Sequence, residues 1–355
     1  MRPRKFLIMK LAGMGDVLMA TPAARSLKKT FPDASVTWLV GSSVSDALKR
    51  NPYVDEVHAI DDRLFFKGSV KEKAGVIRDL VREMRKERFD AGFVLHRDWK
   101  YGALLRLCGV KRLYGLKRGF ASGILLTGSV SFEAPVHHII HYIEAVKLAG
   151  AREDGLHMDF FIGDGVRKGA SDRLAALGMK PGGLIGIAPG GARNVNEVMD
   201  SRRWPEENFK SLTELLARAG FRVAVFGSSG DRWFTENWAL PDGVLDLIGK
   251  TTLEETAAFM ENCSLIVAND SGPMHLAAAV GRPVVSVFGP TDPREKHPLT
   301  RGSFYFWKGQ GLKCSPCYSH GSFPDCRTLE CMRMVTVAEV FDKVRELAVF
   351  SGGGL

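Results

Sequence analysis

Two short polar stretches in this chain each follow an apolar run and each open a helical pattern. Gly13-Met14-Gly15-Asp16 follows Phe6-Leu-Ile-Met-Lys-Leu, and Asn269-Asp270-Ser271-Gly272-Pro273-Met274-His275 follows Ser264-Leu-Ile-Val-Ala. A strand that breaks into a helix at a glycine-containing turn is the repeating unit of an open α/β sheet. Such sheets bind ligands outside the carboxyl ends of their strands. One turn of this kind in each half of the chain, each with a carboxylate, predicts two domains that place polar groups on a shared cleft.

The rest of the pattern supports that reading. Apolar runs at 6–11, 36–40 and 91–95 have the length of buried parallel strands. Helical patterns at 16–30, 43–50 and 70–88 lie between them, the last carrying a charged stretch that reads as a solvated face. The alternation restarts at Leu184-Ile-Gly-Ile-Ala-Pro-Gly-Gly. A helix over 205–219 follows, then a strand at 222–226 running into Gly227-Ser-Ser-Gly-Asp231, a helix over 253–261, a strand at 264–268, a helix over 273–280 and a strand at 283–288. Strands alternating with helices imply βαβ units and parallel sheets. The expected fold class is α/β with two Rossmann-like domains, at 1–163 and 164–335. A helix at 336–350 and a disordered tail at 351–355 follow.

Composition narrows the function. At 355 residues the chain exceeds one ordinary core. No apolar run reaches the roughly 18 residues that span a bilayer. The basic start Met1-Arg-Pro-Arg-Lys leads into too short an apolar stretch for a signal peptide, so the expected location is the cytoplasm. Lysine plus arginine is 49 and aspartate plus glutamate is 40, so the net charge is 49 − 40 = +9. An excess of this sign favours anionic partners such as nucleotides, phosphorylated sugars or an anionic membrane face. Nothing resembles a nucleic-acid module, and nucleic acid is not an expected partner.

Gly13-Met14-Gly15-Asp16 begins like a dinucleotide fingerprint, but the third glycine is replaced by Leu18, which counts against a nicotinamide oxidoreductase. Asp16 is either a helix N-cap or a catalytic carboxylate at the cleft. Pro273 marks a helix start whose backbone N–H groups can receive a diphosphate. His275 lies in that first turn, facing the crevice or the core. Gly190-Gly191 lets backbone approach a phosphate, and Arg202-Arg203 supplies a guanidinium to clamp it. Cys314, Cys317, Cys326 and Cys331 have a spacing that suits either structural zinc or reduced thiols, whereas Cys108 and Cys263 read as core residues. His137 and His141 share a helix face, but no carboxylate pattern accompanies the 137–141 histidines, which favours packing over metal. No cofactor or metal is expected.

Taken in order, Gly15-Asp-Val-Leu-Met-Ala-Thr-Pro-Ala, Pro189-Gly-Gly-Ala, Arg202-Arg-Trp-Pro, Asn269-Asp-Ser-Gly-Pro-Met-His and Gly289-Pro-Thr-Asp-Pro resemble the glycosyltransferase family 9 heptosyltransferases. The resemblance implies a GT-B fold, with the acceptor in the N-terminal domain and ADP-heptose in the C-terminal one. It implies that the last helix crosses back to the first domain. It also implies metal-independent, inverting transfer of heptose to the lipopolysaccharide inner core. By the same resemblance Asp16 is the general base, and Gly15, Lys100 and Arg118 lie toward a lipid-linked anionic acceptor. Gly190, Gly191, Arg202, Ser229, Thr251, Asp270, Ser271, Gly272 and His275 fall to the donor, with adenine against the backbone of Thr251. Peripheral association with the inner membrane follows from such an acceptor. The chain departs from the family in carrying Arg202 where a diphosphate-binding lysine stands, Ser229 where some members have a ribose-binding glutamate, and a longer loop at 193–201. Another nucleotide-sugar, another glycan acceptor, or a non-catalytic sugar-nucleotide binding protein are the alternatives.

Overall fold

A computed structural model describes residues 4–117, 123–132, 135–180, 182–192, 199–317 and 326–350. The chain divides into two compact units, the first ending at Phe160 and the second beginning at Phe161. Arg118, most of the 193–201 loop and the 351–355 tail lie outside the described residues.

The first unit holds strands β1 (Lys5–Met9), β2 (Ser35–Gly41), β3 (Glu56–Ile60), β4 (Ala91–Val94), β5 (Leu113–Lys117) and β6 (Gly128–Ser131). They form one parallel sheet in the order β3-β2-β1-β4-β5-β6. The chain winds outward from β1 to β3, then returns to β4 on the other side of β1. That reversal between β1 and β4 is the switch point, where the loops diverge and leave a crevice. Leu7, Ile8 and Met9 of β1 are fully buried because helices cover both faces of a parallel sheet. The helix Val70–Glu87 shows how its sequence dictates its placement. Ser69 and Glu72 form a reciprocal capping box at its start, and only Leu80 and Met84, one turn apart, are buried. Its charged remainder faces solvent, as the sequence pattern requires.

The second unit repeats the plan. Strands β7 (Leu184–Ala188), β8 (Arg222–Val225), β9 (Val244–Asp246), β10 (Cys263–Asn269), β11 (Val284–Phe288) and β12 (Phe304–Trp307) form a parallel sheet in the order β12-β11-β10-β7-β8-β9. Here the switch point lies between β7 and β10. Every residue of β10 is buried. The helices Glu206–Arg218, Leu253–Glu261 and Gly272–Ala279 follow the sequence expectation closely.

One expected helix takes another form. Residues 43–50 form a 3-10 helix, Ser42–Leu48, rather than an α-helix. The helix Val337–Phe350 sinks Val340, Val344 and Ala348 into the core of the second unit. These residues recur every four positions, so they form one apolar stripe, which packs on the helix Glu206–Arg218 and on β10 and β11. Trp204, itself fully buried, donates its indole N–H to Val335 O at 2.9 Å and ties the entry of this helix to the same core. Among the described residues no helix is long and apolar enough to cross a membrane.

Candidate active site

In the first unit the polar groups gather just beyond β1. Gly13 is the N-cap of the helix Met14–Thr30, with a φ of +83° that side chains rarely adopt. Asp16 is therefore not the cap. It sits in the first turn, about one-third exposed, and Lys10 Nζ lies 3.2 Å from its Oδ2. Lys10 is buried, donates to Leu95 O at 3.2 Å, and stands over the Tyr142 ring with Nζ 5.3 Å from the centroid. Burial opposes its charge, yet Asp16 and Tyr142 outweigh that and hold its pKa above the ordinary lysine value. Burial pushes the Tyr142 hydroxyl up to about 12, against the pull of Lys10. His96 accepts from Leu11 N–H at 2.9 Å through Nε2 and stacks on Tyr101 at 4.1 Å. Burial, followed by the nearby Lys10 charge, keeps it well below the usual histidine range, so it serves as a neutral acceptor. His138 places Nδ1 3.9 Å from the other oxygen of Asp16. The result is a part-exposed carboxylate set between two buried nitrogen groups.

In the second unit the groups gather beyond β7 and β10, at that sheet's own switch point. Asn269, the last residue of β10, accepts from Trp204 N at 2.8 Å and donates to Pro189 O at 2.8 Å, joining three loops. Asp270 follows it, almost wholly buried. Thr291 Oγ1 donates to its Oδ2 at 2.6 Å, and Arg202 Nη2 lies 2.8 Å from the same oxygen. Burial raises the Asp270 pKa, but Arg202, then Lys296, Thr291 and His275, outweigh it and bring it down to about 2. Ser271 is the N-cap of Gly272–Ala279 and gives no side-chain cap, while Pro273 fills the first turn. The first-turn N–H groups thus have no side-chain cap, the condition under which helix starts receive anions. Gly191 lies against this turn. Its φ is +82°, and a Cβ there would stand 2.6 Å from Ser271 Oγ. Arg203 donates to Gly191 O at 3.1 and 2.7 Å from two of its nitrogens and pins the loop.

The family model for glycosyltransferase family 9 (heptosyltransferase) matches residues 77–326, more than half of the chain. The chain belongs to glycosyltransferase family 9. It is similar to lipooligosaccharide heptosyltransferase 2 of Haemophilus influenzae, 27% identical over 311 residues, which cover 83% of this chain and 86% of the relative. Among solved structures it resembles the family 9 glycosyltransferase of Veillonella parvula, with a TM-score of 0.78 at 21% identity and 99% of each chain covered. It also resembles the Escherichia coli ADP-heptose lps heptosyltransferase II, with a TM-score of 0.75 at 22% identity, covering 98% of this chain and 99% of that one. The two parallel sheets are those of the GT-B glycosyltransferases, and the chain is a glycosyltransferase.

Within the family 9 fold, the sequence-predicted residues fall into distinct places. Gly15 and Asp16 lie together beyond β1, and Gly190, Gly191, Arg202, Asp270, Ser271, Gly272 and His275 lie together around β7 and β10. Arg202 was read as a diphosphate clamp; the structure commits one arm of it to Asp270. Asp231, close to Ser229 in sequence, is the residue that packs on Gly190, and it accepts from both Ser228 N and Ser228 Oγ. Ser229 starts a 3-10 helix beside it. Thr251 Oγ1 is shared with Thr256 at 2.7 Å, just before the capped helix at Leu253. Lys100 is exposed at the start of the helix Trp99–Leu107, 3.6 Å from the capping Asp98. Cys108 and Cys263 are core residues, as expected. Cys331 is buried against Gly289 and Cys314 is exposed; among the described residues no group of three or more histidines, cysteines or carboxylates is arranged to hold a metal ion.

Sequence reasoning missed Lys10, His96, His138, Tyr142 and Thr291. Lys10 carried a signal, being a charge near the end of an otherwise apolar strand. His138 and Tyr142 are one turn apart, but the histidines were weighed as metal ligands rather than as neighbours of a distant carboxylate.

Proposed function

We propose that this chain transfers heptose from ADP-heptose to the inner core of lipopolysaccharide, inverting the anomeric centre, with Asp16 as general base. The observation that carries the reading is the Asp16 carboxylate at the switch point of the first sheet, about one-third exposed and held by Lys10. A sugar hydroxyl is a poor nucleophile, so a carboxylate must take its proton as the new bond forms. The oxygen bonds to the anomeric carbon from the face opposite ADP. The bond from that carbon to the diphosphate oxygen breaks, and its electron pair leaves with ADP. The start of Gly272–Ala279, with the Gly190-Gly191 turn against it, would receive the diphosphate charge without a divalent ion. The names of the relatives, which specify lipooligosaccharide and ADP-heptose, support this donor and acceptor. Exposed Lys100, Lys111 and Lys117 support an acceptor rich in phosphate or carboxylate, reached from the inner face of the membrane.

The test is to supply ADP-heptose with a heptose-deficient lipopolysaccharide acceptor and follow ADP release and acceptor mass. One heptose added per acceptor with stoichiometric ADP release is expected. ADP release without an acceptor gain, or transfer only from a uridine or guanosine donor, would overturn the assignment.

A further inference from the structure

The two oxygens of Asp16 face different partners, and both partners are set by one helix. Lys10 Nζ stands 3.2 Å from Oδ2, and His138 Nδ1 stands 3.9 Å from Oδ1. The helix His138–Lys147 carries His138 in its first turn and Tyr142 one turn later, on the same face. Tyr142 lies under the Lys10 ammonium, so this face positions both flanks of the carboxylate. His138 is buried and meets the Phe132 ring edge-to-face. Phe132 lies 5.2 Å from its ring and 4.3 Å from that of His141, and Arg97 covers Phe132 at 4.5 Å. A surface histidine at random would not be fixed in this way.

We propose that His138 is a positioning residue for Asp16 and the acceptor of the proton that Asp16 removes from the sugar hydroxyl. This rests on the reading of Asp16 as general base. The 3.9 Å separation is longer than a hydrogen bond, and catalytic contacts of this kind shorten when substrate binds. When the acceptor O–H breaks, its proton goes to Asp16. It then passes from Oδ1 to Nδ1 of the His138 imidazole, leaving a carboxylate beside an imidazolium. Neither atoms nor electrons are gained: the hydroxyl loses one proton, the histidine gains it, and ADP carries off the electron pair of the broken bond. The proton returns to solvent through Asp16 once the product leaves. Asp16, Phe132 and Tyr142 face His138, and Asp16 is the carboxylate among them.

The experiment measures kcat, both KM values and ADP affinity across pH for the wild type, His138→Gln, His138→Ala and Asp16→Asn, with folding followed by thermal melts. For both His138 variants kcat should fall by about ten- to a hundredfold, with KM and ADP affinity unchanged within about twofold. The kcat–pH profile should lose one of its limbs. Added imidazole should restore part of the turnover of His138→Ala and none of that of Asp16→Asn. Wild-type kcat in His138→Ala, or a loss that imidazole does not touch and that leaves the pH limb in place, would remove His138 from the reaction while Asp16 keeps its role. Near-normal turnover in Asp16→Asn would instead remove the base itself.

Discussion

Arg202 Nη2 lies 2.8 Å from Asp270 Oδ2, with the carboxylate buried and the guanidinium partly so. The same guanidinium also contacts the Asp270 carbonyl oxygen. This pair closes the turn that leads from β10 into Gly272–Ala279, so its first duty is to keep that turn in shape. Arg202→Ala would strip a buried carboxylate of its guanidinium partner while Thr291, Lys296 and His275 remain, a change that costs up to about 3–5 kcal/mol. We expect a clear fall in denaturant midpoint at pH 7 for that variant and a smaller one for Arg202→Lys. Equal stability of Arg202→Ala and the wild type would show that the ion pair contributes nothing.

The pH dependence follows from the same group. The folded pKa of Asp270, about 2, lies below its ordinary value of 3.8. Its contribution is therefore fully present above about pH 4 and is lost as pH falls through about 2. The shift corresponds to an effect on the order of 2 kcal/mol. Denaturation of the wild type and of Asp270→Asn should differ most above pH 4 and converge toward pH 2. A gap that stays constant over that range would contradict the assignment.

Asp16→Asn should still fold, because Gly13 rather than Asp16 caps the helix and the amide oxygen can accept from Lys10, with some loss of stability from the broken ion pair. Turnover should fall by the ~10²–10⁴ typical of a lost general base, with ADP binding by calorimetry unchanged. A variant that binds ADP and still turns over at the wild-type rate would remove Asp16 from the chemistry.

Gly191→Ala places a methyl group against Ser271 Oγ at a φ of +82°. A non-glycine residue held in such a conformation costs on the order of 1–3 kcal/mol, and here the contact would also displace the turn at the helix start. Weakened ADP binding with a modest loss of stability is expected. Binding at the wild-type level would show that the turn takes no part in holding the diphosphate.

Lys100→Ala removes an exposed charge. An exposed contact is worth at most about 1 kcal/mol, so the acceptor KM should rise by a few-fold while ADP affinity stays fixed. Adsorption to anionic vesicles should also weaken as salt shortens the Debye length from ~8 Å. An unchanged acceptor KM together with salt-independent adsorption would return Lys100 to an ordinary surface role.

Much of this arrangement could be read along the chain, and the exceptions share a cause. Leu253–Glu261 was legible because Thr252 and Glu255 announce its start within four residues, and β10 because an unbroken apolar run ends in Asn269. Short edge strands escaped notice: β9 has three residues, and β6 is Gly128–Ser131, with little apolar periodicity to detect. At the sites, Asp16 and Asp270 were visible because each lies in the turn that follows its own strand. Their partners were not. Arg202 and Asp270 are 68 positions apart, and His138 meets Asp16 only once Met14–Thr30 and His138–Lys147 pack together. The helix Val337–Phe350 was legible in the sequence. A stripe of Val340, Val344 and Ala348 says that a face is buried, but not against what.

The strand orders bear on how the polypeptide is made. Every strand of the first sheet is drawn from residues 5–131, and the second sheet begins only at Leu184. A wholly parallel sheet is assembled from distant segments and closes slowly, which leaves unpaired edges exposed during synthesis. Here the first sheet can close on the ribosome before the second has emerged, since no strand of one is inserted between strands of the other. The slow step is thus met twice, by halves of the chain in succession, and never by the whole length at once.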